Sequence, residues 1–176
     1  MAYGEIPRGL EDMAAYILSS SDVPGTKVDG PGARTLTWTI ASDSDQLEGD
    51  NSIIAVVRNP KKLTGSVEVG RTNLAFFATC VGGTASTSGT SPNGITTLDE
   101  SSSAGSRYVQ IKGNTYSQDA SGSGYEITLK KCLVTGGPTE TLGVGAWSTP
   151  GFDFEGSAVS GVLLTRKNYE TFTPLS

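Results

Sequence analysis

Asp43, Asp45, Glu48 and Asp50 place four carboxylates within eight residues, with no basic residue among them. Such a run could serve as a carboxylate pair for glycoside hydrolysis or as a set of oxygen ligands for calcium. Its spacing is specific for neither. An EF-hand loop requires oxygen-bearing side chains at positions one, three and five and a Glu at position twelve; Asp43 and Asp45 fill the first two places, but Leu47 occupies the fifth. A hydrolytic pair needs two acids facing each other across a cleft, and nothing in the spacing pairs them. The stretch is better explained as a solvated or partner-facing hairpin, with no catalytic, metal-binding or cofactor-binding residue assigned.

Other chemistry is thin. The chain contains no histidine, which removes the Ser-His-Asp and Cys-His arrangements, imidazole acid/base catalysis near neutral pH and every His-containing zinc site. The expectation is a non-enzymatic protein. Gly82-Gly83 and Gly136-Gly137-Pro138 lack the Lys-Ser/Thr and the following helix of a phosphate loop, so turn chemistry explains them. Lys61-Lys62 and Lys130-Lys131 are the adjacent lysine pairs, which suit strand edges guarded against unwanted pairing. Trp38, Trp147, Tyr116 and Tyr125 are candidates for a sugar platform, although Trp38 shares an alternating face with Leu36 and Ile40 and is expected in the core. Cys80 and Cys132 are compatible with a disulfide, but two buried thiols are the simpler reading.

The chain has 176 residues, of which 23 Gly, 21 Ser and 21 Thr together make 65. This length fits one domain, 1–176. A net charge of -5 is the wrong sign for gripping phosphate backbones. No apolar run reaches the roughly 20 residues of a membrane span, and no basic-then-apolar leader opens the sequence. A soluble chain made and kept in the cytosol, without membrane binding, is therefore expected.

The elements that must position these residues are mostly strands. Leu36, Trp38 and Ile40 alternate with Thr35, Thr37 and Thr39, the pattern of a strand with one wet face. Ile53-Ile54-Ala55-Val56-Val57 is continuously apolar, which requires cover on both faces or burial by a neighbouring chain. Lys62 to Gly70 alternates, with Gly65 interrupting the apolar face as a bulge would. Leu74, Phe77, Ala78 and Val81 are spaced as one face of a short helix lying on the sheet, with Thr72 or Asn73 as its cap and Gly82-Gly83 as its end. Residues 84–106 read as a long connection or loose hairpin around Ile95–Leu98. Tyr108–Ile111, Tyr125–Lys130, Phe152–Phe154 and Val162–Leu164 read as short strands, separated by turns such as Lys112-Gly113-Asn114. In the N-terminal region, 1–33, the residues Leu10, Met13, Ala14 and Ile17 have helical spacing, yet Ala15–Leu18 would serve equally as an edge strand running into Ser19-Ser20-Ser21. Many short strands and one short helix indicate a mainly β fold, a β-sandwich or barrel with one flanking α-helix.

In its order of features the chain resembles the major tail protein, or tail tube protein, of long non-contractile-tailed bacteriophages. The resemblance is carried by Pro31 to Thr39 followed by Ser44 to Asp50, then Ile54 to Val57, Thr64 to Glu68, the helix Leu74 to Val81 with Gly82-Gly83, Lys131 to Pro138, and Phe152 to Gly156. It implies a structural virion protein, assembled in the host cytoplasm, whose copies form hexameric rings stacked into a tail tube. It also implies tape measure, tail terminator and distal tail proteins as partners, with DNA passing through the lumen unbound. For a compact domain of this length the diameter is about 40 Å, so a six-membered ring would leave a lumen wide enough for a duplex. An acidic wall would let DNA slide. Stacked rings need heterologous contacts, for which Asp43, Asp45, Leu47, Glu48, Asp50, Ile53, Ile54, Val56 and Val57 are candidates on the hairpin and Lys61 and Lys62 beyond it, with Lys61, Lys62, Lys130, Lys131 or Arg166 as the basic partner on a neighbour. Residues 84–106 and the N-terminal arm are expected to gain order on stacking. The alternative from another class is a carbohydrate-binding or adhesin module with Trp147 at its surface.

Overall fold

The computed structural model describes residues 9–30, 32–42, 44–49, 52–58, 61–100, 107–116, 123–145, 148–172 and 174–175. The strands are β1 (Asp12–Leu18), β2 (Pro24–Asp29), β3 (Ala33–Ala41), β4 (Ser44–Gly49), β5 (Ser52–Arg58), β6 (Lys62–Val69), β7 (Thr84–Ser88), β8 (Ile95–Asp99), β9 (Tyr108–Tyr116), β10 (Gly124–Val134), β11 (Gly151–Ser157) and β12 (Leu164–Tyr169), with α1 (Leu74–Phe77) between β6 and β7. The protein is thus mainly β. Its main antiparallel sheet runs β2-β1-β9-β10-β11-β6-β3, and β12 pairs with the first half of β10; β4-β5 and β7-β8 are separate two-stranded hairpins.

Alternation along the strands sends one face into a single core: Met13 and Ala15 from β1, Leu63, Val67 and Val69 from β6, Val109 and Ile111 from β9, Ile127, Leu129 and Cys132 from β10, and Phe152 and Phe154 from β11. The sheet must roll to bring these faces together. A Cβ on Gly113 of β9 would come within 3.0 Å of Leu36 on β3, a strand four steps away along the pairing order. That proximity explains Gly113. It stands inside β9, not in a turn as its neighbours Lys112 and Asn114 suggest, because Leu10 and Leu36 leave no room for a side chain.

Asn73 caps α1 as its position predicts, its Oδ1 accepting from the backbone N–H groups of Ala75 (3.0 Å) and Phe76 (3.3 Å). The helix then widens into a π-helical turn, Ala78–Gly82. Phe76 and Phe77 of α1 enter the core, Phe77 as expected, while Leu74 is half-buried; in the wider turn Cys80 enters the core and Val81 is half-buried. Phe76 and Phe77 both pack against Phe152, at centroid separations of 6.1 and 6.2 Å.

Two expectations change. β1 is an interior strand, flanked by β2 and β9, so Ala15–Leu18 is neither helix nor edge. Gly65 is no bulge; it pairs in register with Trp38 and Phe154. Of the two readings of residues 84–106 the hairpin is the one found, as β7-β8, and residues 101–106 lie outside the described residues.

Candidate subunit interface

The acidic stretch is itself a strand. β4 pairs antiparallel with β5, matching Asp45 with Val57, Gln46 with Val56 and Leu47 with Ala55, and an irregularity between Leu47 and Glu48 precedes the pairing of Glu48 with Ile53. Asp43 and Asp50 lie outside the described residues, and for Asp45, Leu47, Glu48, Ile53 and Ile54 the backbone alone is described. On β5, Ala55, Val56 and Val57 are all exposed, Val56 at 59% and Val57 at 61%. Adjacent residues of a strand point to opposite faces, so neither face of the ribbon is covered by the rest of the chain at these two positions. A two-stranded ribbon in water is marginal by itself, and one carrying valines on both sides gains from a partner surface.

Lys61 and Lys62, which follow β5 in the sequence, are exposed and, among the described residues, have no ion-pair partner. They rim an open groove of about 590 Å³ that also includes Leu63, Glu155 and Leu163. Lys62 opens β6, an interior strand, and Lys131 lies in β10, also interior. Neither lysine pair therefore guards a sheet edge, because the path of the main sheet ends at β2 and β3. Lys131 is already engaged within the chain, 2.7 Å from Asp22 and 4.4 Å above the Tyr108 ring. It sits where the β9-β10 register shifts between Leu129 and Cys132 and where the other neighbour of β10 changes from β12 to β11.

A second surface was not legible in the spacing. Between β3 and the β9-β10 ladder lies a cleft of about 280 Å³ whose walls include Leu10, Leu36, Trp38, Tyr125 and Ile127, with Gly113 in its lining and Arg34 beside them. Trp38, expected in the core, is half-buried here because β3 ends the sheet and has a neighbour on one side only. Of the other aromatics, Tyr125 joins Trp38 in the cleft, Tyr116 stacks on Phe172 at 3.7 Å, and Trp147 lies outside the described residues.

The sheet's other face carries a polar layer. Glu126 is buried; its Oε1 accepts from the Thr128 hydroxyl (3.1 Å) and lies 3.5 Å from the Lys167 ammonium, while its Oε2 accepts from the Tyr169 hydroxyl (2.9 Å). The Glu126 carboxylate raises the Lys167 pKa, and burial together with the hydrogen bond to Glu126 raises that of Tyr169. Its oxygens are held by three partners on β10 and β12, so the local chemistry is that of a structural anchor. The segment after β12 lies across this layer. Leu175 packs on Ala14 and Tyr16, its N–H donates to Asp12 Oδ2 (3.3 Å) and its carbonyl accepts from Lys27. Asp12→Ala should release this strap at a cost of about 1 kcal/mol. Faster amide exchange at Leu175 with an intact β9-β10 ladder is the expected signature, and unchanged exchange would show that Asp12 does not hold the strap.

Cys80 and Cys132 are free and buried, and burial raises both thiols, Cys132 to about 12. They are unreactive core residues at neutral pH. Among the described residues no three His, Cys, Asp or Glu side chains gather as a metal site, and no helix is long and apolar enough to cross a membrane. No protein-family model matches the chain, and no curated protein matches it significantly.

Proposed function

We propose that this chain is a structural virion protein that polymerises, as stacked hexameric rings, into a tail tube through which DNA leaves the capsid. The observation that carries the reading is the β4-β5 hairpin: it pairs outside the main sheet and exposes Val56 and Val57 on opposite faces. Such a hairpin suits a heterologous contact, in which one patch meets a different patch on the next copy and growth stays open-ended. The resemblance of the chain's ordered features to phage tail tube proteins supplies the specific assembly, and the net charge of -5 suits a conduit that must not retain DNA.

Electron microscopy of the purified chain, alone and with tail-assembly partners, tests the proposal. Tubes of uniform diameter with a central channel are expected. Persistent monomers under all these conditions would overturn it.

A further inference from the structure

The cleft between β3 and the β9-β10 ladder has no role in the reading above, yet its composition mirrors the hairpin. Leu36 and Trp38 share one face of β3 at period two, and Arg34, at the register irregularity between Ala33 and Thr35, lines the same cleft with Thr35. On the hairpin, Val57 has Asp45 as its cross-strand partner, so an aliphatic and an acidic position sit side by side on one face. Arg34 is exposed and, among the described residues, has no ion-pair partner. At about 280 Å³ the cleft is small, sized for one or a few side chains; pockets for drug-sized ligands run roughly 300–1,000 Å³.

From these features we infer that the cleft receives the β4-β5 hairpin of a second copy of this chain, Val57 seating against Leu36 and Trp38 while Asp45 meets Arg34. The inference rests on the polymerisation reading and adds the surface that the hairpin engages. The fold places the two halves of the contact at different ends of one strand. The cleft is built on Arg34 to Trp38 of β3, whereas β4 follows the last residue of β3, Ala41, after a two-residue connection. The span from Arg34 to Ala41 is about 23 Å of extended chain. A copy displaced along β3 therefore brings its hairpin to its neighbour's cleft and leaves its own cleft open for the next. Such a contact is heterologous, and between stacked rings it leaves an unused half at each end of the stack. The apolar pair contributes affinity, and the charge pair fixes register and excludes the wrong docking.

The test uses the full-length chain and a bismaleimide cross-linker. Cys80 and Cys132 are 1% and 0% exposed and should stay silent. In assembled Leu36→Cys/Val57→Cys protein a covalent ladder is expected; an equimolar mixture of the two single variants should stop at dimers, because each carries half of the contact. Arg34→Glu and Asp45→Lys should each raise the critical concentration for assembly about tenfold, and the combined variant should return to within about threefold of the parent. Tubes that form without a ladder and leave the thiol introduced at position 36 reactive would overturn the cleft docking while sparing the polymer. Failure of the parent chain to assemble at all would remove the polymer reading itself. Two other occupants would also overturn the inference. The chain's own residues 1–8 would be revealed if the thiol of Leu36→Cys is shielded in the monomer and deleting residues 2–8 uncovers it. A glycan would be revealed by saccharide-array binding that Trp38→Ala abolishes.

Discussion

Val56→Asp/Val57→Asp should raise the critical concentration for tube assembly by roughly a hundredfold or more while leaving the monomer's melting temperature within about 2 °C of the parent. Both residues are more than half exposed in the isolated chain, so the core loses nothing when they change. In an assembled contact each valine would lose most of that exposure, which contributes about 1 kcal/mol per residue. A carboxylate in its place must be desolvated without a partner, adding at least a further ~1 to 3 kcal/mol. Every 1.4 kcal/mol is about tenfold in an equilibrium constant, so two sites together exceed a hundredfold. Val56→Thr/Val57→Thr, which retains the branched Cβ favoured in strands, should cost about tenfold. Sedimentation and electron microscopy across a concentration series measure both. Tubes from the Asp variant at the parent's critical concentration would show that the hairpin lies outside the interface.

Gly65→Ala should destabilise the fold by about 3 kcal/mol or more and lower the melting temperature by roughly 10 °C. A Cβ at this position would stand 2.2 Å from the Thr37 carbonyl oxygen and 2.5 Å from Cζ of Phe154. The carbonyl belongs to the backbone of β3, which pairs with β6 on either side of this point, and Phe154 is 1% exposed, so neither can retreat cheaply. The strands must separate locally or the ring must leave its rotamer. Phe154→Leu shortens one obstacle and leaves the other. In the double variant the loss should be less than the sum of the two single losses, a coupling expected of residues in contact. Thermal and denaturant unfolding of the four proteins decide it, and a Gly65→Ala melt indistinguishable from the parent would remove steric exclusion as the reason for glycine here.

Glycine shows where local reading reached its limit. A glycine in a strand pattern signals a turn, a bulge or a close approach, and the sequence alone does not select among them. At Gly65 the obstacles are the Thr37 carbonyl on β3 and the ring of Phe154 on β11, and at Gly113 they are Leu10 and Leu36; all are distant in the chain. The cap at Asn73 was legible because its two acceptor bonds reach no farther than Phe76. Phe77 and Ala78 are buried as the helical spacing required, but Cys80 replaces Val81 in the core because the π-helical turn at Ala78–Gly82 departs from a 3.6-residue period.

The candidate interface divides in the same way. Its hairpin half was legible, since Ile53 to Val57 is continuous in sequence and too apolar for a wet strand. The cleft half was not, because Arg34, Leu36 and Trp38 read as an ordinary half-buried strand until β9 and β10 are placed opposite them.

By itself, then, the sequence determined what depends on near neighbours: strand-forming alternation, a mainly β class, one capped helix, an acidic run followed by an apolar one, and the absence of imidazole chemistry. Tertiary structure decided which strands lie side by side, and with that which are edges, why β1 is interior, and where the rolled sheet leaves a cleft beside Trp38. The physical reason is one of range. Period and capping are set by sterics and hydrogen bonds over a few residues, whereas strand order minimises exposed apolar surface and unpaired backbone across the whole chain.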